Sequence, residues 1–398
     1  MQIPSHISSV LDILSSNGFE GYLVGGCVRD AMMGEYPHDF DIATNATPDE
    51  MLLCFSDHRI IETGLKHGTV TVVSDGENVE ITTYRIDGEY LDNRRPKDVS
   101  FTRNLSEDLS RRDFTINALA YSIKDGLCDM FNGMDDLKAR LIRCVGNPDT
   151  RFGEDALRIM RALRFSSTLG FDIHEETSKS IFSNMHLLSN ISCERIYSEL
   201  KKLICGNDAS SVIVKYSDVF FSLFPWISSN KNLFISNAQS LSQLPACHAT
   251  RLASLLWGYD EDEVTKFMSF LKCDNDTLHT VQTLCSFYDK DLLPEKIAVR
   301  RLMSVLDDDV LLSLAHIKHT HSGEFLIDDF LSVFYEQKKN KSCVRLSQLA
   351  ITGNELIAFG IPRGPKIGEM LQKILDAVIE EKCENNFLSI IAFCARYK

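Results

Sequence analysis

The amino-terminal part of the chain, its first 125 residues or so, has short β-rich runs of apolar residues separated by glycine-containing turns. Such runs predict the strands of a small mixed sheet with helices packed against it. Thr47-Pro48-Asp49-Glu50 has the pattern of a capping box with proline at the first helical position, which predicts a helix start. The predicted elements are strands at 21–24, 39–43, 69–73 and 78–84, a hairpin turn at Asp75-Gly76, and helices at 28–33 and 50–55.

After Asp149 the apolar residues recur at helical spacing, without the alternation that is typical of strands. The clearest predicted helices are 152–167, 175–185 and 193–204. The sequence therefore predicts an α+β protein in which a mixed α/β head is followed by helices only. The expected domains are a head at 1–145, a helical neck at 146–205, a helical body at 206–335 and a helical tail at 336–398.

Composition narrows the class of protein. Hydrophobic residues make up 44% and charged residues 25%, as in ordinary globular proteins. No apolar run approaches the roughly 18 residues of a membrane span, and the start lacks the pattern of a signal peptide. The twelve cysteines are scattered without a CxxC pair, which argues against a zinc site and a disulfide framework. We expect a cytoplasmic protein with reduced thiols.

The charge leaves the question of nucleic acid open. A formal net charge of −14 disfavours binding to phosphate backbones, which attract basic surfaces. Basic residues are nevertheless concentrated at 94–112 and at 338–345. Either cluster is able to bind RNA on an otherwise acidic protein, and either is equally a solvated surface.

The segment 25–44, GGCVRDAMMGEYPHDFDIAT, contains the most informative pair of carboxylates. Asp39 and Asp41 are one residue apart on a predicted strand, so both point to the same face. Two adjacent carboxylates repel unless a cation lies between them, and Mg²⁺ is the usual hard partner. An ion held there could bridge a triphosphate and activate a 3′ hydroxyl for in-line attack. An isolated DxD is more often a solvated or capping pair. A DxD on a strand that follows a first strand, a glycine turn and a helix, in this order, is a much more specific signal of a metal site.

Phosphate and sugar ligands are predicted nearby. Backbone N–H groups of a glycine turn between strand and helix can approach phosphate oxygens. In RRDFTINALAY, the arginines can neutralise phosphates, and Asp113 can accept hydrogen bonds from ribose hydroxyls. The candidate triphosphate ligands are Gly25, Gly26, Arg29 and Arg111.

A charged stripe is predicted on the helix that follows residue 152. At 100° per residue one side holds Glu154, Asp155, Arg158 and Arg161, and the opposite side holds Ala156, Ile159, Met160 and Leu163. Acid–arginine pairs of this spacing are often plain surface pairs. They can also read a base, because Asp accepts from an exocyclic amine and Arg donates to ring acceptors. Cytosine and adenine satisfy both groups, whereas uracil and guanine do not.

These motifs resemble those of a known family. GGCVRDAMMGEYPHDFDIAT, RRDFTINALAY and FGEDALRIMRALRF resemble, in order, motifs of the class II tRNA nucleotidyltransferases and bacterial poly(A) polymerases. The tail at 351–382 resembles that of shorter, Gram-positive-type members. The resemblance implies a polymerase-β-like head, Mg²⁺ at Asp39 and Asp41, and ribose binding by Arg112 and Asp113. It also implies base recognition by Asp155 and Arg158, with Glu154 orienting the arginine and Arg161 beside them.

Two features of the head refine the resemblance. Glu80, on the predicted strand opposite in direction to Val79 and Ile81, is a candidate third metal ligand or an exposed edge residue. The segment 85–104 matches the flexible loop of members that add the terminal A, and its polar candidates are Arg85, Asp87, Asp92, Arg94 and Arg95. An intact loop favours addition of CCA or of A alone, whereas an unrelated surface loop has no bearing on the choice.

The expected activity is sequential addition of C, C and A from CTP and ATP to the 3′ end of tRNA, with a protein template and Mg²⁺. The expected partners are the tRNA acceptor end, CTP and ATP, but neither a membrane nor DNA. The alternatives are an A-adding or CC-adding enzyme, a poly(A) polymerase and, from another class, an inactive RNA-binding relative. The intact carboxylate pair disfavours the last alternative, because a binding protein has no need of it.

Overall fold

The structure, a computed structural model, describes residues 1–37, 39–62, 64–88 and 99–397. The chain forms two compact units. The first consists of Met1–Ile235 with Ser269–Cys273, and the second of Ser236–Met268 with Asp274–Lys398. The finer division into head, neck, body and tail stays a prediction.

A seven-stranded mixed sheet forms the centre of the head. In chain order its strands are β1 (Gly21–Val24), β2 (Asp41–Thr44), β3 (Arg59–Ile61), β4 (Thr69–Ser74) and β5 (Glu77–Thr83), then β8 (Leu119–Ser122) and β9 (Gly126–Asp129). Two short pairs lie outside it, β6 (Arg85–Asp87) with β7 (Val99–Phe101) and β10 (Leu141–Ile142) with β11 (Asp172–Ile173). The spatial order is β3-β4-β5-β2-β1-β8-β9, so β2 lies in the middle. It runs parallel to β5 and antiparallel to β1.

Local sequence signals explain how the sheet is connected. Asp75 and Gly76 both have positive φ, 51° and 84°, which is the backbone of a tight hairpin turn between β4 and β5. The predicted capping box is confirmed, because the Thr47 side chain accepts from the Glu50 N–H while the Glu50 carboxylate accepts from the Thr47 N–H. The second predicted strand begins two residues later than expected, at Asp41, so Asp39 lies just before it.

Helices account for most of the remaining chain. The first group is α1 (Ser5–Ser16), α2 (Gly26–Met32), α3 (Pro48–Cys54), α4 (Leu105–Ser110), α5 (Gly133–Ala139), α6 (Pro148–Glu154), α7 (Leu157–Leu169), α8 (Glu175–Asn184), α9 (Cys193–Ile204), α10 (Ala209–Lys215) and α11 (Ser217–Leu223). The later group is α12 (Lys231–Gln239), α13 (His248–Leu255), α14 (Glu261–Leu271), α15 (Asn275–Cys285), α16 (Lys296–Val305), α17 (Asp308–Ser322), α18 (Ile327–Lys339), α19 (Gly353–Ala358), α20 (Pro365–Ile379) and α21 (Phe387–Cys394). This distribution confirms the α+β class.

The continuous helix predicted at 152–167 is wrong. Helix α6 ends at Glu154, Asp155 has extended backbone angles (φ −138°, ψ 101°), and α7 begins at Leu157. The Asp155 side chain accepts from the Leu157 N–H at 3.1 Å, a local side-chain-to-backbone bond that belongs to the turn between the two helices. The predicted charged stripe is therefore split between two helices, although Ala156, Ile159, Met160 and Leu163 are all fully buried as expected.

The two faces of the sheet are covered by different layers. On β2, Ile42 joins a core with α1 and α3, whereas Ala43 joins a second core with α4. Alternation along the strand places Asp41 on the same face as Ala43. On β5, Val79 and Ile81 are buried in the first core, so Glu80 points to the face of Asp41.

The second unit contains its own apolar core. Helix α20 starts after Gly364, whose φ of 116° only glycine adopts readily, with Pro365 at the first helical position. Ile374, Leu375 and Val378 are buried along this helix, as their spacing predicts. Within the described ranges, no helix has both the length and the apolar character to cross a membrane. The twelve cysteines, all of them in described positions, are free thiols.

Candidate active site

The carboxylate pair lies at the beginning of the central strand. Asp41 pairs in register with Val24 of β1 and with Glu80 of β5, and Asp39 precedes it. Desolvation raises the pKa of the Asp41 carboxyl above its ordinary value, the Arg112 guanidinium opposes this rise, and the Asp39 carboxylate adds to it. Two negative groups and one arginine therefore share this edge of the sheet.

The glycine turn faces the same arginine. Gly25 has a φ of 77° and lies between β1 and α2. A β-carbon at Gly25 would lie 3.1 Å from Nη1 of Arg112, so the guanidinium lies directly over this turn. Only glycine combines this backbone conformation with such a close approach. The structure thus brings Gly25, Asp41 and Arg112 together. Arg112, which the sequence assigned to ribose binding, lies next to the glycine turn that is predicted to bind the triphosphate.

Asp108 holds both arginines of the RRD motif. Its side chain is 1% exposed; one oxygen accepts from Nε and Nη2 of Arg111 at 3.0 and 2.7 Å, and the other from Nη2 of Arg112 at 3.3 Å. Burial alone would raise the pKa of Asp108, but the two guanidinium groups lower it overall. This carboxylate therefore stays ionised and fixes the direction in which each arginine points.

Arg29 is directed into the protein. Its residue is 8% exposed, its Nη1 donates to Oδ1 of Asn117 at 2.8 Å, and its Nε donates to Asp30 at 2.8 Å. The guanidinium also lies 5.1 Å from the centre of the Phe165 ring. A β-carbon at Gly26 would lie 3.6 Å from this guanidinium, so Arg29 stays adjacent to the turn. Its role as a triphosphate ligand stays a prediction.

Asp113 is the acceptor at the centre of this network. One carboxylate oxygen accepts from the Phe114 N–H at 2.8 Å and from Asn117 at 3.1 Å. The other accepts from Nε of Arg161 at 2.8 Å and lies 2.7 Å from the Nη2 of the same guanidinium in an ion pair. Among the described residues, three donors thus occupy three of the roughly four acceptor sites of this carboxylate. Ribose binding by Asp113 stays a prediction.

The buried Asp113 makes stability depend on pH. Although burial would raise it, the charge of Arg161 and the hydrogen bonds lower the pKa of Asp113 to about 2. A depressed folded-state pKa contributes stability above the unfolded value of about 3.9, and this is lost as the pH falls through the folded value. The shift corresponds to about 2 kcal/mol, so Asp113→Asn should unfold at lower urea concentration than wild type at pH 7. The difference should narrow between pH 4 and pH 2.

The matched control is Glu175→Gln, which breaks an exposed pair with Lys179 and should leave the urea midpoint unchanged at every pH. A stability difference between wild type and Asp113→Asn that is the same at pH 7 and at pH 3 would show that the Asp113 charge makes no contribution.

Arg158 is paired with Glu154 and with two backbone carbonyls. Its Nη1 donates to the Glu154 carboxylate at 2.6 Å and to the Arg151 carbonyl at 3.2 Å, and its Nη2 donates to the Arg111 carbonyl at 2.8 Å. A guanidinium has five N–H donors. Among the described residues, these bonds account for three of them, which leaves the Nε–H and one Nη2–H of Arg158 for a ligand.

Asp155, in the break between α6 and α7, pairs with an arginine that the sequence did not single out. Arg195 of α9 donates from Nη2 to one carboxylate oxygen at 2.8 Å and from Nη1 to the other at 3.3 Å. Arg161, next on the expected stripe, is directed to Asp113 and Glu199. The structure therefore brings Asp155 and Arg158 to the same helix junction. Arg161 is not part of that junction, because it pairs with Asp113 and Glu199 instead.

The flexible loop is described only at its base. Arg85 begins β6; its N–H donates to Asp108 at 3.3 Å and its Nη1 to the His67 carbonyl at 2.8 Å. Asp87 ends the same strand. Asp92, Arg94 and Arg95 lie outside the described residues.

The divalent ion has two clear candidate ligands. Mg²⁺ is commonly held by one or two carboxylates together with waters and substrate phosphates, which Asp39 and Asp41 fit. Within the ranges that the structure describes, no group of three or more His, Cys, Asp or Glu side chains could hold a metal. Glu80 is paired with Asp41 in the register of β5 and β2, but among the described residues the two do not form such a cluster with a third side chain. Its role as a metal ligand stays a prediction.

Sequence reasoning missed three positioning residues, Asp108, Arg195 and Glu199. A signal for two of them was present. Glu199 falls on the stripe of Ile196, Leu200 and Leu203, and Asp108 falls between Leu105 and Leu109. A carboxylate on an apolar face predicts a buried partner of opposite charge. Arg195 has no such signal, because its partner becomes evident only once the helices pack.

Comparison with known proteins agrees with this geometry. The family described as "Poly A polymerase head domain" matches residues 21–143, "Probable RNA and SrmB- binding site of polymerase A" matches 170–216, and "tRNA nucleotidyltransferase domain 2 putative" matches 248–394. A CCA-adding enzyme of Lactobacillus helveticus (strain DPC 4571) is 37% identical over 388 residues, which cover 95% of this chain and 93% of that protein. The chain belongs to the family of CCA-adding enzymes. It is therefore a nucleotidyltransferase, and enzymes of this family generally need a divalent metal ion.

Other CCA-adding enzymes extend the comparison. One from Oceanobacillus iheyensis is 53% identical over 206 residues, about half of each chain (52% and 51%). The crystal structure of the Bacillus stearothermophilus CCA-adding enzyme in complex with CTP superposes with a TM-score of 0.84 and 30% identity, over 100% of this chain and 98% of that one. The Thermotoga maritima CCA-adding enzyme complexed with tRNA shares the fold, with a TM-score of 0.69 and 22% identity over 100% and 97% of the two chains. The polymerase-β-like head expected from the sequence is confirmed.

Proposed function

We propose that this chain adds C, C and A in turn to the 3′ end of tRNA, using CTP, ATP and Mg²⁺. The observation that carries the proposal is the set of hydrogen-bonding groups left open at the helix junction. With respect to the described residues, Arg158 keeps two donors, and Asp155, with three donors on its carboxylate, keeps one acceptor site. Cytosine offers an amine with acceptors at N3 and O2, and adenine offers an amine with N1. One protein surface thus suits both bases.

The same groups disfavour the other two bases. With uracil, a carbonyl oxygen would face the remaining acceptor of Asp155. With guanine, O6 would face that acceptor and a ring N–H would face the donors of Arg158. In each case two acceptors or two donors meet and form no hydrogen bond. A buried polar group that is left unpaired costs about 1–3 kcal/mol. Selection of C and A therefore needs no nucleic-acid template, because the side chains of Asp155 and Arg158 take its place.

Asp39 and Asp41 are proposed to hold the Mg²⁺. When bound, the ion would supply positive charge to the triphosphate and to the attacking 3′ oxygen. Arg112 would neutralise phosphate charge over the turn at Gly25, with Gly26, Arg111 and Arg29 as supporting ligands. Asp108 would fix the directions in which Arg111 and Arg112 point. Glu80 is the candidate for a third carboxylate.

Similarity to relatives supports the substrate and partner assignments. CCA-adding enzymes match nearly the full length of the chain, and solved relatives are complexes with CTP, ATP and tRNA. We propose that the helices after the head grip the tRNA acceptor arm by its shape. A cytoplasmic location is proposed as well, because thiols persist in reducing compartments and all twelve cysteines are free.

The test is nucleotide incorporation by purified full-length protein into tRNA that ends at its discriminator base, with CTP, ATP or both, and Mg²⁺. We expect two C with CTP alone, and C, C and A, then arrest, with both nucleotides. A tRNA that already ends in CCA serves as control and should accept nothing.

Each other pattern identifies an alternative. Arrest after CC with both nucleotides means a CC-adding enzyme, and a requirement for a pre-made CC end means an A-adding enzyme. Long A tracts on any RNA mean a poly(A) polymerase. No incorporation at all, from protein that binds tRNA, would replace the proposal by an inactive RNA-binding relative.

A further inference from the structure

Helix α9 carries two charged side chains, one of which reaches the junction between α6 and α7. Arg195 and Glu199 are four residues apart and therefore lie on one face of this helix. Arg195 pairs with Asp155 at the break between α6 and α7, and Glu199 accepts from Nε of Arg164 at 2.9 Å. Because α9 packs along α7, one face of α9 pairs both with Asp155, just before α7, and with Arg164 in the middle of α7.

The pair between Arg195 and Asp155 has a directed geometry. Each of the two terminal nitrogens of Arg195 donates to a different oxygen of Asp155, at 2.8 and 3.3 Å, and the Leu157 N–H donates to the same oxygen as the longer bond. An end-on contact through two bonds fixes the plane of a carboxylate, which a single bond does not. The side chains of Arg195 and Asp155 are 31% and 17% exposed, so the pair borders solvent where a ligand can reach it.

The donors already bonded to the Asp155 carboxylate determine which acceptor site remains for a ligand. With two donors on Oδ1 and one on Oδ2, one acceptor site remains, and it belongs to Oδ2. An exocyclic amine has to approach from that side. Without Arg195 the carboxylate could rotate about its terminal bond and present either oxygen to amines, or admit a water that bridges to a carbonyl.

We infer that Arg195 is a positioning residue for base selection, which directs the one open acceptor of Asp155 at the amine of the incoming cytosine or adenine. This inference rests on the proposed function. Arg195 itself needs no contact with the nucleotide. A lysine in its place would keep the positive charge but lack the planar fork that fixes a carboxylate from two points.

The experiment compares full-length wild type with Arg195→Met, which keeps the length of the side chain, and with Arg195→Lys. Single-nucleotide incorporation is measured for CTP and UTP on tRNA ending at the discriminator base, and for ATP and GTP on tRNA ending in CC. In Arg195→Met we expect the ratio of kcat/KM for CTP over UTP to fall about tenfold to a hundredfold, as for loss of one good polar contact to a base. Most of the change should appear as a higher KM for CTP and ATP. Arg195→Lys should lie between Arg195→Met and wild type.

The matched control is Lys272→Met, which removes a different ion pair at the start of the same helix, the one between Lys272 and Glu194. Its nucleotide selection should equal that of wild type. A purely structural role for Arg195 predicts lower stability and lower kcat with unchanged C over U and A over G ratios, and that result in both Arg195 variants would overturn the inference. Wild-type protein that incorporates neither C nor A would instead overturn the proposed function, so the two failures are distinguishable.

Discussion

Asp41→Ala should abolish nucleotide addition while leaving the fold intact. Asp41 is the first residue of the central strand, and its carboxylate faces Asp39 and Arg112 at the surface of the sheet, outside the apolar cores on both faces. A metal ion at such a site contributes several kcal/mol to the transition state, which corresponds to a loss of about a thousandfold or more in kcat. The measurement is single-turnover incorporation of CTP into tRNA at saturating Mg²⁺.

Two comparisons make this result specific. Asp135→Asn alters an exposed carboxylate elsewhere in the head and should keep wild-type turnover. The urea midpoint of Asp41→Ala should equal or exceed that of wild type, because the change removes repulsion between two neighbouring carboxylates. Appreciable turnover by a pure Asp41→Ala sample, free of wild-type enzyme, would remove Asp41 from the metal site.

Asp155→Asn should relax the choice of nucleotide, and Arg158→Gln should weaken the use of both correct nucleotides. An amide at 155 can donate as well as accept, so it meets the carbonyl of uracil as readily as the amine of cytosine. We expect the preference for CTP over UTP to fall by about ten- to a hundredfold. Arg158→Gln replaces the charged guanidinium fork by a shorter, neutral amide, which reaches N3 and O2 of cytosine and N1 of adenine less well, and should lower kcat/KM for CTP and ATP by a similar factor.

The ion pairs of Asp155 with Arg195 and of Arg158 with Glu154 favour neutral substitutions over a charge reversal. A full charge reversal would set an arginine at 155 against Arg195 and an aspartate at 158 against Glu154, so misfolding would obscure any change in selection. Asp172→Asn, at an exposed carboxylate, is the control and should leave selection unchanged. If C and A are selected as in wild type by both Asp155→Asn and Arg158→Gln, these residues do not read the base.

Most of the fold was predictable because it depends on short-range signals. The capping box at Thr47, the Asp75-Gly76 turn and the apolar face of α7 each involve residues that are near in sequence. The break at Asp155 was missed for the opposite reason. Helical periodicity continues across it in the sequence, and the groups that hold the break open include Arg195, which is forty residues away. Tertiary pairing here overrides local helix propensity.

The candidate site was predictable in its residue types but not in its pairings. The motifs identify Asp39, Asp41, Arg112, Asp155 and Arg158 as candidates. They do not show that Arg112 lies over Gly25, that Arg29 is directed inward to Asn117, or that Asp113 is paired with Arg161. These facts depend on which buried charges meet when the helices and the sheet pack. The sequence identifies the charged residues, and the tertiary packing determines which of them can still bind a ligand.

The position of β2 between β1 and β5 has a dynamic consequence. Its residues after Asp41 are buried and bonded along both edges, so in hydrogen-exchange terms their amides belong to the class that opens only when the whole unit unfolds. The junction at 155–156 lies between two helices, where the helical hydrogen-bond pattern stops, so we expect its amides to exchange by local opening. The proposed metal ligand Asp41 thus begins the strand that is expected to open most slowly, and the proposed base-reading residue Asp155 lies in a segment that is expected to open more easily. Such a division would let an enzyme keep one reaction geometry while it accepts a small pyrimidine and then a larger purine.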